Sequence, residues 1–311
     1  MDIEREKRLQ EAEAKLGINT KGQLLDPRFD YVFKRIFTAQ EQESNIALID
    51  FLNSILFNGE SKIVDLTVIN TEIPVEEYSQ KKSRFDIRVV FNKGEQALIE
   101  MEFNPKDNFI KRSLHSVSSM YSAQPINRQD YRRLKKCYMV GVMGYNLLKK
   151  KNYDYINIFT FRDGKGRQLS GDVQITFVEL EKTTDFLNKP VEELTNAECW
   201  GLFLRYASFD DKHDVLDKIS DRQEGIKMAV DVLKYISKDT IERLRYEDEI
   251  LAEIDIEARL DYKVKEIAKK MIAKNKPVDE IMEFTDLTED EIEELKEELE
   301  YEAEEDDTDQ S

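Results

Sequence analysis

The chain has 311 residues, 40% of them hydrophobic and 36% charged, and a formal net charge of −18. That length supports one large domain or two ordinary ones with a substantial core, and no apolar run approaches the ~18 residues that a membrane span needs. The negative charge is concentrated at one end: residues 289–309 hold 14 acids and one lysine, and the rest of the chain is close to neutral.

The opening stretch MDIEREKRLQEAEAKL is charged and helical in pattern, which predicts a surface helix over residues 3–16 and not a signal or transit peptide. In LLDPRFDYVFKRIF, Phe29, Val32, Phe33 and Ile36 recur at helical spacing after Pro27, a residue favoured near helix starts. IALIDFLNSIL (46–56) predicts a buried helix, and the β-branched IVDLTVINTEI (63–73) a strand. RFDIRVVFNKGEQALIEMEF (84–103) supplies strands over 85–91 and 97–103, and KDNFIKRSLHSVSSMYSAQ (106–124) a helix. CYMVGVMG (137–144) suits a buried strand, and YINIFTF (155–161) and VQITFVEL (173–180) are two more, joined across the glycine-rich DGKGR. Cys137 and Cys199 both sit among apolar neighbours, as buried thiols of a cytoplasmic protein do.

After residue 182 the pattern turns almost wholly helical. Capping boxes stand at Thr195–Glu198 and Thr288–Glu291, with a helix break at Asn275–Pro277. The last residues, YEAEEDDTDQS, have the composition of a disordered acidic tail. The expected division is an N-terminal helix (1–22), a mixed core (23–182), a helical region (183–300) and the tail (301–311). Residues 111–151 carry ten Lys or Arg against the one acid Asp130. Such a stretch either meets a polyanion or forms a solvated face balancing nearby acids, and composition leaves both readings open.

The strands at 85–91 and 97–103 place three acids, Asp86, Glu100 and Glu102, near one turn. A two-residue loop would put the two apolar sets on opposite faces. A three-residue loop, Asn92–Lys93–Gly94, pairs Ile87 with Ile99 and Asp86 with Glu100, and gives Gly94 the left-handed position such a loop requires. All three acids then share a face, Asp86 and Glu100 at ~5 Å. Carboxylates that close need a cation or a protonation shift. Two readings follow: a site for a hard divalent ion, or a solvated network neutralised by Arg88, Lys111 and Arg112. His115 and His213 lack partners at metal-ligand spacing, which argues against zinc, and no phosphate-binding glycine loop or nucleophile elbow is present.

The order DPRFDYVFKRIF, a strand ending in Asn-Thr-Glu, KKSRFDIRV, LIEMEF, then a helix with Phe109, Arg112 and Tyr121 resembles the PD-(D/E)XK nuclease family transposases, the recombination-promoting nucleases. FVELEK (177–182), the Trp200 helix and KPVDEIMEFTDLTEDEIEEL (276–295) extend the resemblance over most of the chain. It implies an α/β, restriction-endonuclease-like core (residues 23–182) with a mixed sheet flanked by helices, followed by an all-helical C-terminal region. It also implies a Mg²⁺- or Mn²⁺-dependent DNA endonuclease related to recombination or mobile elements. Asp86 matches the metal-binding aspartate and Glu100 the motif acid, while Glu102 stands at the motif lysine, more often glutamine in this family. That departure makes Glu102 a third ligand, or leaves Lys82 or Lys111 to substitute for the lysine, or marks a catalytically inactive DNA- or protein-binding scaffold. Asp30 and Lys34 match the opening motif, and Glu72 is a candidate further acid. Arg112 offers its fork to phosphate, and Arg128, Arg132, Arg133, Lys135 and Lys136 would hold the DNA backbone. Sequence preference is expected to be weak, with no membrane partner, and the C-terminal helices are where copies of the chain would associate.

Overall fold

A computed structural model describes residues 3–69, 87–105, 108–125, 130–148 and 153–308. The chain divides into two compact units, Met1–Ile250 and Leu251–Ser311. The first opens with α1 (Ile3–Leu16), α2 (Asp30–Ile36) and α3 (Glu41–Phe57). α3 is apolar nearly all round, burying Ala47, Leu48, Phe51, Leu52, Ile55 and Leu56, and stops where Asn58 turns left-handed at φ 53°.

Six strands form one mixed sheet: β1 (Leu66–Ile69), β2 (Ile87–Phe91), β3 (Glu95–Glu102), β4 (Cys137–Met143), β5 (Ile156–Arg162) and β6 (Gln168–Glu179), in the order β1-β2-β3-β4-β6-β5. β1, β2 and β3 are antiparallel, β3, β4 and β6 parallel, and β5 returns antiparallel along the edge. The β2–β3 register pairs Ile87 with Ile99 and Phe91 with Glu95, leaving Asn92–Gly94 as the three-residue turn the hydrophobic pattern predicts. Gly94 has φ 103°, and Asn92 is also left-handed at 48°, which asparagine tolerates better than most side chains.

A parallel step from β3 to β4 needs a crossover that lies on one face of the sheet. α4 (Phe109–Ser122) makes it, closing Leu98, Met139, Met143, Ile175 and Phe177 beneath Phe109, Val117 and Met120. The opposite face, with Ile87, Val89, Ala97 and Ile99, meets the N-terminal helices: the Tyr138 ring lies 5.8 Å from both Phe57 and Phe91, and Phe103 stacks on Phe29 at 4.4 Å. β3 is thus covered on both sides, and every residue from Ala97 to Glu102 is buried.

α5 (Asn196–Tyr206), α6 (His213–Arg222), α7 (Glu224–Lys238) and the start of α8 (Thr240–Ile272) complete this unit. The Thr195–Glu198 capping box forms as the sequence indicates. The change to helix after residue 182 does not coincide with the division between units, because α5 and α7 pack on α3. Trp200 of α5 sits in an aromatic cluster with Phe37, Phe51 and Phe203. Its indole N–H donates to Asp50 Oδ1 at 2.6 Å, and Gln223 donates to the same oxygen. Gly225 presses its backbone on the Asp50 side chain, leaving no room for a Cβ. Cys137 and Cys199 are buried free thiols, each pushed up to about 11 by burial.

The second unit packs Ala268 of α8 against Ile281 of α9 (Val278–Thr285) and Ile292 and Leu295 of α10 (Glu289–Thr308). The predicted break holds, with Asn275 left-handed at φ 55°, and Thr288 and Glu291 bond reciprocally at 2.8 and 3.3 Å. The backbone of α10 is helical as far as Thr308, where composition predicts a disordered tail from residue 301; Glu and Ala are strong helix formers. Among the described residues no helix is long and apolar enough to cross a membrane.

Two stability measurements check this packing. Gly225→Ala forces α7 away from α3 and is expected to cost about 1–3 kcal/mol in urea unfolding. The second concerns Asp50, whose carboxyl lies above the ordinary aspartate range, through burial first and against hydrogen bonds from Trp200, Gln223 and Ser54. A carboxyl raised in the folded state keeps its proton there longer than in the unfolded chain. Its contribution is therefore present at low pH and lost as pH rises through the folded value. Asp50→Asn keeps an acceptor for Trp200, so urea midpoints taken from about pH 4 to 8 should fall less steeply with rising pH than those of the wild type.

Candidate active site

Strand periodicity puts Glu100 and Glu102 on the same side of β3 as Leu98, and parallel pairing sets them beside Gly141 and Met143 of β4. This side is the one α4 covers. Of the two readings left open, the solvated network does not hold for these two acids: Glu100 is 6% exposed and Glu102 3%, because β3 is a central strand and its crossover helix lies over them. Of the three cations considered for neutralising these acids, the described structure brings one, Arg112, against both. Its Nη2 donates to Glu102 Oε2 at 2.8 Å and to Glu100 Oε2 at 3.4 Å. Arg88 instead donates to Gln96 at 2.7 Å, and Lys111 is exposed on α4.

Arg112 reaches the acids because α4 comes very close to the sheet. The Phe109 ring lies over Gly141, where an added Cβ would stand 2.9 Å from it, and packs against Phe177 at 5.8 Å. The Arg112 guanidinium lies 5.3 Å from the Phe109 ring centroid, a cation–π contact that fixes its direction. Glycine inside a strand pattern signals such a close approach, and Gly141 in CYMVGVMG is the readable mark of a positioning role that residue-type reasoning overlooks.

The electrostatics follow from this packing. Burial pushes the Glu100 carboxyl above the ordinary glutamate range; Arg112 opposes the shift, and the charges of Glu102 and Asp30 add to it. Arg112 is held above its usual value despite burial, by its hydrogen bond to Glu102 and by the charges of both glutamates.

Asp30 begins α2 near this end of β3, where its charge acts on Glu100, and Lys34 is half-buried one turn later. The rest of the opening motif does structural work. Asp26 and Arg28 form a buried pair at 2.6 Å, the guanidinium also lies 5.2 Å from the Phe103 ring, and Phe29 stacks on Phe103, the residue after β3.

The basic residues lie elsewhere. Arg132 and Arg133 form an exposed turn (Tyr131–Arg133) and both pair with Asp130, at 2.9 and 3.2 Å. Lys135 and Lys136 are exposed just before β4, where the Lys136 carbonyl accepts from the Gln96 N–H at 3.0 Å. Gln96 is four residues from Glu100 and six from Glu102 on β3, so Lys136 stands ~13 to ~20 Å along the sheet from the acids. Asp86, Glu72, Lys82 and Arg128 lie outside the described residues.

Among the described residues no three His, Cys, Asp or Glu side chains gather as a metal cluster. The two glutamates nevertheless suit a hard divalent ion: they are oxygen donors, buried, and directed at one point now met by a guanidinium.

A mixed sheet with two acids spaced by one residue on its central strand, beside a crossover helix bearing an arginine, places the chain in the restriction-endonuclease-like α/β class. The chain belongs to the PD-(D/E)XK nuclease family transposases, whose family model matches residues 27–263. That span runs from α2 into α8, so the likeness of residues 276–295 to the family's C-terminal element lies beyond it. No curated protein and no solved structure matches the chain.

The route from Gly141 through Phe109 is testable by a double-mutant cycle. Gly141→Ala is expected to cost about 1–3 kcal/mol, and Phe109→Ala to cost less in that background than in the wild type, because its cavity accommodates the new methyl group. Urea unfolding of the four proteins measures the coupling.

Proposed function

We propose that the chain is a Mg²⁺- or Mn²⁺-dependent DNA endonuclease, cytoplasmic and acting in recombination or on mobile elements, that hydrolyses phosphodiester bonds with weak sequence preference. The observation that carries this reading is the convergence of Glu100 and Glu102, both buried, on one point beneath α4. Two carboxylates are kept in a largely buried place only where cationic charge meets them, and family membership makes a nuclease site the natural use of such a place.

In this reading Asp86 and Glu100 hold the ion, with Glu102 completing the oxygen donor set. A divalent ion bound there would lower the pKa of a water beside the phosphate and offset the negative charge on the leaving oxygen. Arg112 sets its planar fork against a non-bridging phosphate oxygen, and Lys111 (or Lys82) provides the cation that the motif otherwise carries at position 102. The exposed cluster of Arg132, Arg133, Lys135 and Lys136, ~13 to ~20 Å away, takes the DNA backbone about four to six base pairs from the reacting phosphate at 3.4 Å per pair. Contacts of that kind hold without reading sequence.

A second reading, a non-catalytic DNA- or protein-binding scaffold, is favoured by one observation. Arg112 already meets both carboxylates, so the acids have a cation without any metal. Nicking of supercoiled plasmid in Mg²⁺ separates the two readings. The endonuclease reading expects wild-type nicking, with loss of roughly 100-fold or more in Asp86→Ala and in Glu100→Gln. Equal and negligible nicking by all three proteins would establish the scaffold.

A further inference from the structure

We propose that Arg112 is a resident counter-ion: its guanidinium holds Glu100 and Glu102 in the metal-free protein, yields them to a divalent cation, and is thereby freed to take phosphate. This rests on the metal-dependent reading above, and three features of the site carry it.

The first is where the guanidinium sits. It contacts Oε2 of both glutamates, at 2.8 and 3.4 Å, which are the oxygens that converge. A divalent ion held by those same oxygens would meet the positive charge of Arg112 at close range. Shared occupancy is unfavourable, and exchange of one cation for the other keeps the buried carboxylates compensated throughout.

The second is the contrast in exposure between the partners. The glutamate side chains are 8% and 4% exposed, whereas that of Arg112 is 46% exposed. The acids are fixed on a central strand, and the arginine, on a surface helix, has a path to water. The third is the Phe109 ring beneath the guanidinium, anchored over Gly141 and against Phe177. It offers Arg112 an apolar platform that does not depend on the carboxylates, so the side chain leaves them without losing all its contacts.

The arginine therefore acts as a positioning residue with two successive partners. Metal affinity and DNA binding are linked through it: the protein presents a phosphate-binding fork at the acids only once the ion has replaced the guanidinium.

Titration calorimetry with MnCl₂ on the full chain, paired with thermal unfolding with and without the ion, tests this. Arg112→Gln removes the competing charge, and its Mn²⁺ dissociation constant should fall roughly tenfold or more below that of the wild type. Without metal it should melt below the wild type, with two buried carboxylates less well compensated, and Mn²⁺ should raise its midpoint by more than it raises that of the wild type. Arg112→Lys, which keeps the charge but not the fork, serves where the glutamine variant fails to fold, and should bind Mn²⁺ a few-fold more tightly than wild type. Mn²⁺ binding no tighter than wild type in either variant would overturn the counter-ion role and leave the metal site standing. Absence of Mn²⁺ binding in all three proteins would overturn both.

Discussion

The constraint on which this structure turns is that β3 is buried on both faces and still carries two carboxylates. An ionised carboxylate taken out of water without compensation is among the most expensive things a fold can hold, so the cation that meets Glu100 and Glu102 is not optional. Arg112 provides it from α4, and several other features then follow. α4 must cross directly over β3; Phe109 must settle close to β4; and residue 141 must lack a side chain, since even a Cβ would collide with that ring. The acids, the arginine, the phenylalanine and the glycine form one dependent chain, although they come from three different elements, β3, α4 and β4.

The opposite face of β3 is held just as firmly, by apolar contacts. Phe29 stacks on Phe103, Tyr246 of α8 meets Phe29 edge-on at 5.2 Å, and the buried Asp26–Arg28 pair closes the same corner. This explains why a motif that opens the chain matters to a site on a later strand. DPRFD both brings the charge of Asp30 to bear on Glu100 and locks the end of β3 from beneath. Rigid support on one face lets the other face keep two acids in a fixed relation.

Much of this was legible in the sequence, and the reasons are specific. The β2–β3 register follows from a side-chain period of two together with Gly94, because only one loop length brings the apolar sets onto one face. The capping boxes at Thr195 and Thr288 and the break at Asn275 are local chemistry, readable within a few residues. The burial of Glu100 and Glu102 was not legible. LIEMEF alternates in a way that suits a strand with one wet face, and only the parallel pairing with β4, which forces a crossover helix onto that face, shows the alternation to be buried on both sides. Compact units were illegible for a similar reason: helical composition begins at residue 182, but α5 and α7 belong with α3 through tertiary contacts that no local pattern records.

Glu102 takes on a different meaning once the cation is located. The resemblance sets Glu102 against the motif's lysine or glutamine, and judged along the strand alone a negative group there reads as a loss. Judged across the two elements, the strand bears acid and acid and the helix above it bears the guanidinium that meets both. A lysine in the strand would be tied to backbone geometry fixed by two buried faces and able to serve only what lies directly before it. An arginine on a surface helix keeps its charge at any accessible pH and carries a fork suited to both carboxylate and phosphate. The acid at 102 and the arginine at 112 are therefore best understood together: the strand carries two carboxylates, and the cation that meets them stands on the helix.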